Sequence, residues 1–183
     1  MKEALFVVTV VAEILLGASL ILTLVIPSFR IWPPPGRSSW QYRYTWALTI
    51  ISLVGILLLG ILDWDTFLLS NPVRFVIGGV LVMGGAAFAL WGVRALSWRA
   101  SLGLGGRLTS TGPYRYSRNP QYVGDIALLA GYAVLCNSLL TTIAAALGIA
   151  WFVLAPFTEE PWLRQRFGSE YERYASSVPR FLF

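Results

Sequence analysis

An all-α, polytopic transmembrane bundle of about five helices, ending in an amphipathic helix, is predicted by three features of this sequence. Its 183 residues are 56% hydrophobic and only 13% charged, about half the ~25% usual in soluble domains. The apolar residues gather in stretches of roughly the 20 residues that cross a ~30 Å hydrocarbon core. The segments between these stretches alternate in charge, basic then acidic, as cytoplasmic and outer loops do.

Taken in order, Ala4 to Ile26 reads as the first span, with Glu13 its only charge. Its apolar run exceeds the ~7–15 residues of a signal-peptide core, so a retained helix is expected. Pro33-Pro34-Pro35-Gly36 forms a stiff connector. Thr45 to Leu62 is the second span and Val73 to Val93 the third, the latter with glycines at 78, 85 and 92. Small residues on one stripe allow close helix approach in lipid, which predicts a packing seam. Gln121 to Phe157 is too long for one span. Asn137-Ser138 interrupts it with turn-forming residues, giving a tight helical hairpin.

Arg30, Arg37 and Arg43 follow span one, and Arg94, Arg99, Arg107, Arg115 and Arg118 follow span three. Asp63 and Asp65 follow span two. This alternation puts the N-terminus outside and the C-terminus in the cytoplasm, in the plasma (inner) membrane. The net charge of +5, carried almost entirely by arginine, therefore reads as topology and anionic-lipid contact, with no nucleic-acid role.

The sequence has no histidine and one cysteine, Cys136. That excludes His-ligated metals, Ser-His-Asp catalysis and a disulfide framework, and no metal site is expected.

Two polar segments carry the candidate chemistry. In the first, Asn119 is a favoured N-cap and Pro120 a favoured first helical residue. The same helix start offers free N–H groups to an anion, so cap and site stand as equal readings. Tyr122, Asp125 and Leu129 share the next helix face. A carboxylate inside a span is costly, which marks Asp125 as functional or paired. In the second segment, Thr158 is expected to cap a new helix with Glu159 and Glu160 in its first turn. Leu163, Phe167, Tyr171 and Tyr174 would then line one face, lying on the membrane or folding back over the bundle. Gly103-Leu104-Gly105-Gly106 lacks the third glycine of a dinucleotide loop, because residue 108 is Leu108, and reads as a flexible loop.

The full pattern is Gly112, Tyr114, Arg118-Asn119-Pro120, Tyr122 and Gly124, then Glu159-Glu160, Phe167-Gly168, Glu170-Tyr171, Tyr174 and Val178-Pro179. It resembles the isoprenylcysteine carboxyl methyltransferases and the related phospholipid N-methyltransferases over roughly residues 105–181. The Leu135-Cys136-Asn137 turn is similar to that of the isoprenylcysteine branch. The resemblance implies an integral membrane enzyme that uses S-adenosylmethionine. Its cofactor would be held by Tyr114, Arg118, Asn119, Pro120, Tyr122, Glu159 and Glu160. It also implies one membrane domain: three spans within 1–93, a cytoplasmic loop at 94–120, the hairpin at 121–157, and a tail at 158–183 that closes over the cofactor. Asn119 stands where the family most often has histidine, and Pro161 after the Glu pair is unusual.

Methyl transfer from a sulfonium depends chiefly on alignment and desolvation. Without histidine a carboxylate acceptor, which needs no base, is favoured, so a prenylcysteine-type lipid is the expected substrate. Arg94, Arg118 and Asp125 are the expected catalytic groups, the arginines holding that carboxylate or a lipid phosphate. A phospholipid amine or a small thiol is the alternative acceptor. A non-catalytic membrane protein on the same scaffold is the alternative from another class.

Overall fold

A computed structural model describes residues 1–69 and 71–182. Among them the chain forms α1 (Lys2–Val25), α2 (Trp40–Leu62), α3 (Val73–Leu96), the short α4 (Trp98–Ser101), α5 (Pro120–Cys136), α6 (Leu139–Phe167) and α7 (Ser169–Ser177). Helices α1, α2, α3 and α6 are long and apolar enough to cross a membrane. Helix α5 has 17 residues and so spans ~25 Å at ~1.5 Å per residue, the lower limit for a crossing helix. Successive long helices run in opposite directions. The α1–α2 and α3–α5 connections and the C-terminus therefore gather at one end of the bundle.

Helix α5 is pressed onto α3 along the glycine stripe. A Cβ on Gly85 would sit 2.6 Å from the Gly124 carbonyl and 2.7 Å from the Leu128 nitrogen. One on Gly131 would sit 2.8 Å from the Gly78 carbonyl. Backbones this close gain dispersion contact that larger side chains would prevent, and in lipid that contact drives helix association. The expected seam is therefore present, and the glycines of α5 complete it.

At the opposite end the acidic loop closes the hairpin. Asn137 adopts the left-handed conformation, with φ 47, and Ser138 caps α6 through the Thr141 nitrogen. The Asn137 amide donates to Asp65 at 2.7 Å and its oxygen accepts from the Leu69 nitrogen at 2.7 Å. Asp63 accepts from Lys2 and from Ser138, both at 2.7 Å. Asp65 also pairs with Arg74, and these two partners hold its carboxyl below the usual range.

One boundary differs from expectation. No helix starts at Thr158: α6 runs unbroken for 29 residues through Pro156 and Pro161. The Thr158 hydroxyl donates to the Ala155 carbonyl within the helix rather than capping it. The ring angle of proline suits a helix, and packing on neighbouring helices offsets the lost hydrogen bonds. At ~44 Å, α6 exceeds the hydrocarbon core, so its last turns stand beyond it. The break comes at Gly168, whose φ is 53. After it α7 folds back over the bundle and buries Tyr171 and Tyr174 against Tyr114.

Replacing Gly124 with leucine should force α5 off α3. Overpacking costs about 1–3 kcal/mol where neighbours can yield, and here they are backbone. A Tm in detergent several degrees below wild type is expected, whereas Gly84→Leu, with open space around it, should leave Tm nearly unchanged.

Candidate active site

The loop end of the bundle holds an open-sided cavity of about 110 Å³. Its walls come from the α1–α2 connection (Trp32, Pro33), the loop before α5, the first turn of α5, the end of α6 and α7. Helix α5 begins at Pro120 with Asn119 before it, as the sequence predicts. The Asn119 side chain does not cap, however. Its amide donates 2.9 Å to the Arg180 carbonyl, which ties the C-terminal strap to the start of α5. The Arg118 nitrogen donates to the Pro179 carbonyl at 2.9 Å and the Ser117 hydroxyl to the Arg180 carbonyl at 3.2 Å.

The two glutamates have separate surroundings. Glu159 faces the cavity and accepts from the Trp32 indole at 2.6 Å and from the Tyr122 phenol. Glu160 is 3% exposed and is enclosed by arginines. Arg180 donates to it through two nitrogens, at 2.7 and 2.9 Å. Arg118 lies 3.3 Å away and Arg164 3.6 Å away. Arg180 also stacks on Phe157, 4.0 Å from the ring centre. The hydrogen bond that Arg180 donates to Glu160 is the main reason that Arg180 stays protonated above its ordinary range. The buried Arg118 Nε has no partner among the described residues.

Aromatic groups supply much of the wall. Tyr114 is 6% exposed and receives the Tyr174 phenol on its carbonyl at 2.8 Å. Burial, with Glu159 and Tyr174 nearby, pushes the Tyr114 phenol up. Burial also pushes Tyr171 up to about 12, with Glu160 adding to the rise. Both phenols stay neutral at physiological pH. The 103–106 loop is a built part of this wall rather than a free loop. Gly103 has φ 75, and a Cβ there would lie 2.9 Å from Trp32 and Pro34, so only glycine meets both demands.

Of the expected site residues, Tyr114, Arg118, Asn119, Tyr122, Glu159 and Glu160 line this cavity. Pro120 is fully buried and opens α5 without lining it. Arg94 is exposed on the last turn of α3 and lines no cavity described here. Asp125 lines a second chamber inside the bundle, of about 320 Å³, together with Tyr122 and Leu129. The face-sharing of these three is as the helical spacing predicts. The chamber and the cavity share Trp32, Ser101, Gln121 and Tyr122. Sequence reasoning missed Trp32, Trp162 and Arg180. The proline run beside Trp32 was a signal of a fixed connector, but nothing local marks its partner 127 residues away.

Comparison with known proteins bears on this arrangement. The phospholipid methyltransferase family matches residues 73–170, more than half the chain. The nickel-cobalt-cadmium resistance protein NccN of Alcaligenes xylosoxydans xylosoxydans is 28% identical over 138 residues, 74% of this chain and 62% of its own. The cobalt-zinc-cadmium resistance protein CzcN of Cupriavidus metallidurans is 28% identical over 137 residues, 74% of this chain and 61% of its own. Steroid 5-alpha-reductase DET2 of Solanum lycopersicum is 30% identical over 118 residues, 61% of this chain and 43% of its own. The chain thus spans about three fifths or less of the length of these relatives. No solved structure matches it. Together with the four long apolar helices, the family match makes this an integral membrane protein. The chain belongs to the phospholipid methyltransferase family, in the membrane superfamily that also holds the isoprenylcysteine carboxyl methyltransferases.

Proposed function

We propose that the chain transfers a methyl group from S-adenosylmethionine to a membrane-partitioned acceptor. The observation that carries this reading is the junction of a polar, aromatic cavity at the bundle end with an apolar chamber inside the bundle, through Trp32, Ser101, Gln121 and Tyr122. A water-soluble donor and a lipidic acceptor can meet only where two such spaces join.

The residues of the cavity suit the cofactor. Its carboxylate would satisfy the orphaned Nε of Arg118, in a charge-assisted hydrogen bond of the stronger kind. Glu159, oriented by Trp32 and Tyr122, has lone pairs left to accept from ribose hydroxyls or the ammonium group. Tyr114, Trp162 and Phe167 offer ring faces to the adenine and the sulfonium. When bound, the cofactor supplies an electrophilic methyl on a positively charged sulfur. The chain then has to orient, exclude water and avoid competing nucleophiles.

Glu160 has a different part in this reading. Its arginines already occupy it, so it fastens the C-terminal strap over the cavity and fixes Arg118 from behind. The tail from 158 thus closes the site as one unit with the single membrane domain. Its acceptor side opens to lipid and its cofactor side to the cytoplasm of the inner membrane, with the N-terminus outside. The arginine-rich loops at the cavity end support that orientation.

S-adenosylhomocysteine should bind the purified protein with one-to-one stoichiometry by calorimetry in nanodiscs. Glu159→Ala and Tyr122→Ala should each weaken it tenfold or more, about 1.4 kcal/mol. Absence of binding to the wild type in nanodiscs and in several detergents would overturn the reading.

Arg180→Ala should release the strap without unfolding the bundle. Faster proteolytic clipping after residue 168 and weaker S-adenosylhomocysteine binding are expected, with Tm close to wild type. Because Arg180 stays charged far above neutral pH, the clipping rate of the wild type should be flat between about pH 6 and pH 9.

A further inference from the structure

The chamber inside the bundle is lined by residues that the cofactor reading does not use. Leu16, Leu53, Leu128, Leu129, Trp151 and Phe152 make its apolar wall. Besides Ser101, Gln121 and Tyr122, which it shares with the cavity, its polar groups are Glu13 of α1, Thr45, Trp46, Thr49 and Ser52 of α2, and Asp125 of α5. Of the latter, all but Asp125 lie outside the stretch that the family matches.

Two of these groups are buried and unsatisfied. Thr45 is 3% exposed, and its hydroxyl has no hydrogen-bond partner among the described residues; nor has the buried Trp46 indole nitrogen. Asp125 likewise makes no hydrogen bond among them. Glu13, by contrast, accepts from Ser52 and sits against Gly148, where a Cβ would approach its oxygen to 3.1 Å. Leaving a buried donor unpaired forfeits its hydration, and no bulk water relieves it at membrane depth. Two donors on α2 and an acceptor on α5 therefore line one apolar space. That is a complementary set for a ligand head that both accepts and donates.

The charge of the head follows from the same wall. Glu13 and Asp125 are carboxylic side chains, and no arginine or lysine lines the chamber. A carboxylate or phosphate head would meet no counter-charge there. The expected prenylcysteine carboxylate is thus poorly matched to this space. The volume, at the lower end for a drug-sized ligand, suits one hydrocarbon chain or ring system. The chamber is lined by both α2 and α5. These helices are joined far from the site, where the Tyr132 phenol donates to the Leu57 carbonyl at 2.7 Å and Gly60 abuts Tyr132 and Cys136. Nearer the site the chamber lies between them.

We propose that this chamber is the acceptor site and that it selects a single-chain amphiphile whose head is a thiol, phenol or amine and carries no anionic group. Asp125 receives the head's proton-bearing group, and Thr45 and Trp46 donate to its lone pairs. The assignment rests on the methyltransferase reading above and adds the acceptor class to it. During transfer the head's S, O or N lone pair forms the new bond to the methyl carbon. The carbon–sulfonium bond breaks, its electrons remain on sulfur as a thioether, and the head's proton passes to the Asp125 carboxylate.

The test uses the full chain in nanodiscs and measures two bindings separately: S-adenosylhomocysteine by calorimetry, and tritiated 4-dodecylphenol by scintillation proximity. Dodecylamine and dodecanethiol should displace the phenol, while dodecanoate and dioleoylphosphatidylethanolamine should need at least tenfold higher concentrations. Asp125→Leu should weaken the phenol tenfold or more and Thr45→Val several-fold, with S-adenosylhomocysteine bound as in wild type. Should Asp125→Leu fail to fold, Trp46→Phe, which removes one N–H, carries the same expectation as Thr45→Val. Equal displacement by dodecanoate or the phospholipid, or unchanged phenol binding in the folded variants, overturns the acceptor assignment. Loss of S-adenosylhomocysteine binding in the wild type, with selective phenol binding intact, overturns the methyltransferase reading instead and leaves the chamber as a selective amphiphile site.

Discussion

The backbone contact between α3 and α5 governs how the rest of this molecule is arranged. In lipid, apolar side chains gain little by leaving one hydrocarbon surface for another, so close packing decides which helices adhere. The paired glycines let α5 lie against α3 at distances that any Cβ would prevent. Drawn to that side, α5 meets α2 only through Tyr132 and its neighbours at the far end. The space left on the near side is the chamber. The same contact fixes the start of α5, where Arg118, Asn119 and Tyr122 stand.

Electrostatics at the bundle end follow a division of labour between adjacent residues on α6. Glu159 and Glu160 are about 100° apart around the helix, so both reach the cavity wall but only Glu160 meets the arginines of the strap side. Three arginines around Glu160 compensate its burial; a carboxylate without them would be expensive. Glu159 instead has two neutral donors and keeps acceptor capacity for a ligand. The motif's paired acids therefore do two jobs, one structural and one directed at the cavity. The opposite end repeats the pattern in simpler form, with Asp63 and Asp65 spent on closing the hairpin turn.

These features make positioning the main resource of the proposed chemistry. The cavity offers fixed donors and ring faces, and its phenols stay neutral at physiological pH. The chamber holds its acids in an apolar wall without a cation beside them. A reaction that needs alignment, dryness and one proton acceptor is suited to such a site, whereas one that needs a histidine shuttle is not.

The sequence by itself determined the helical membrane architecture, the hairpin at Asn137-Ser138, the glycine seam and six of the residues that line the cavity. Those signals are local: hydropathy over one span, a repeat along one helix face, a cap beside a proline. It misplaced the helix start at Thr158, because cap chemistry was legible and the tertiary packing that carries α6 through two prolines was not. It took the 103–106 glycines for slack, because Trp32 and Pro34 press on that loop from far away in the chain. It gave Asn119 a capping side chain, while the Arg180 carbonyl takes that amide. Only the tertiary structure decided which glutamate the arginines occupy, that Arg94 stands outside the cavity, and that polar residues of α1 and α2 line one chamber with Asp125. Each of these depends on partners brought together by packing, and pairing between distant residues leaves no periodic trace in a single sequence.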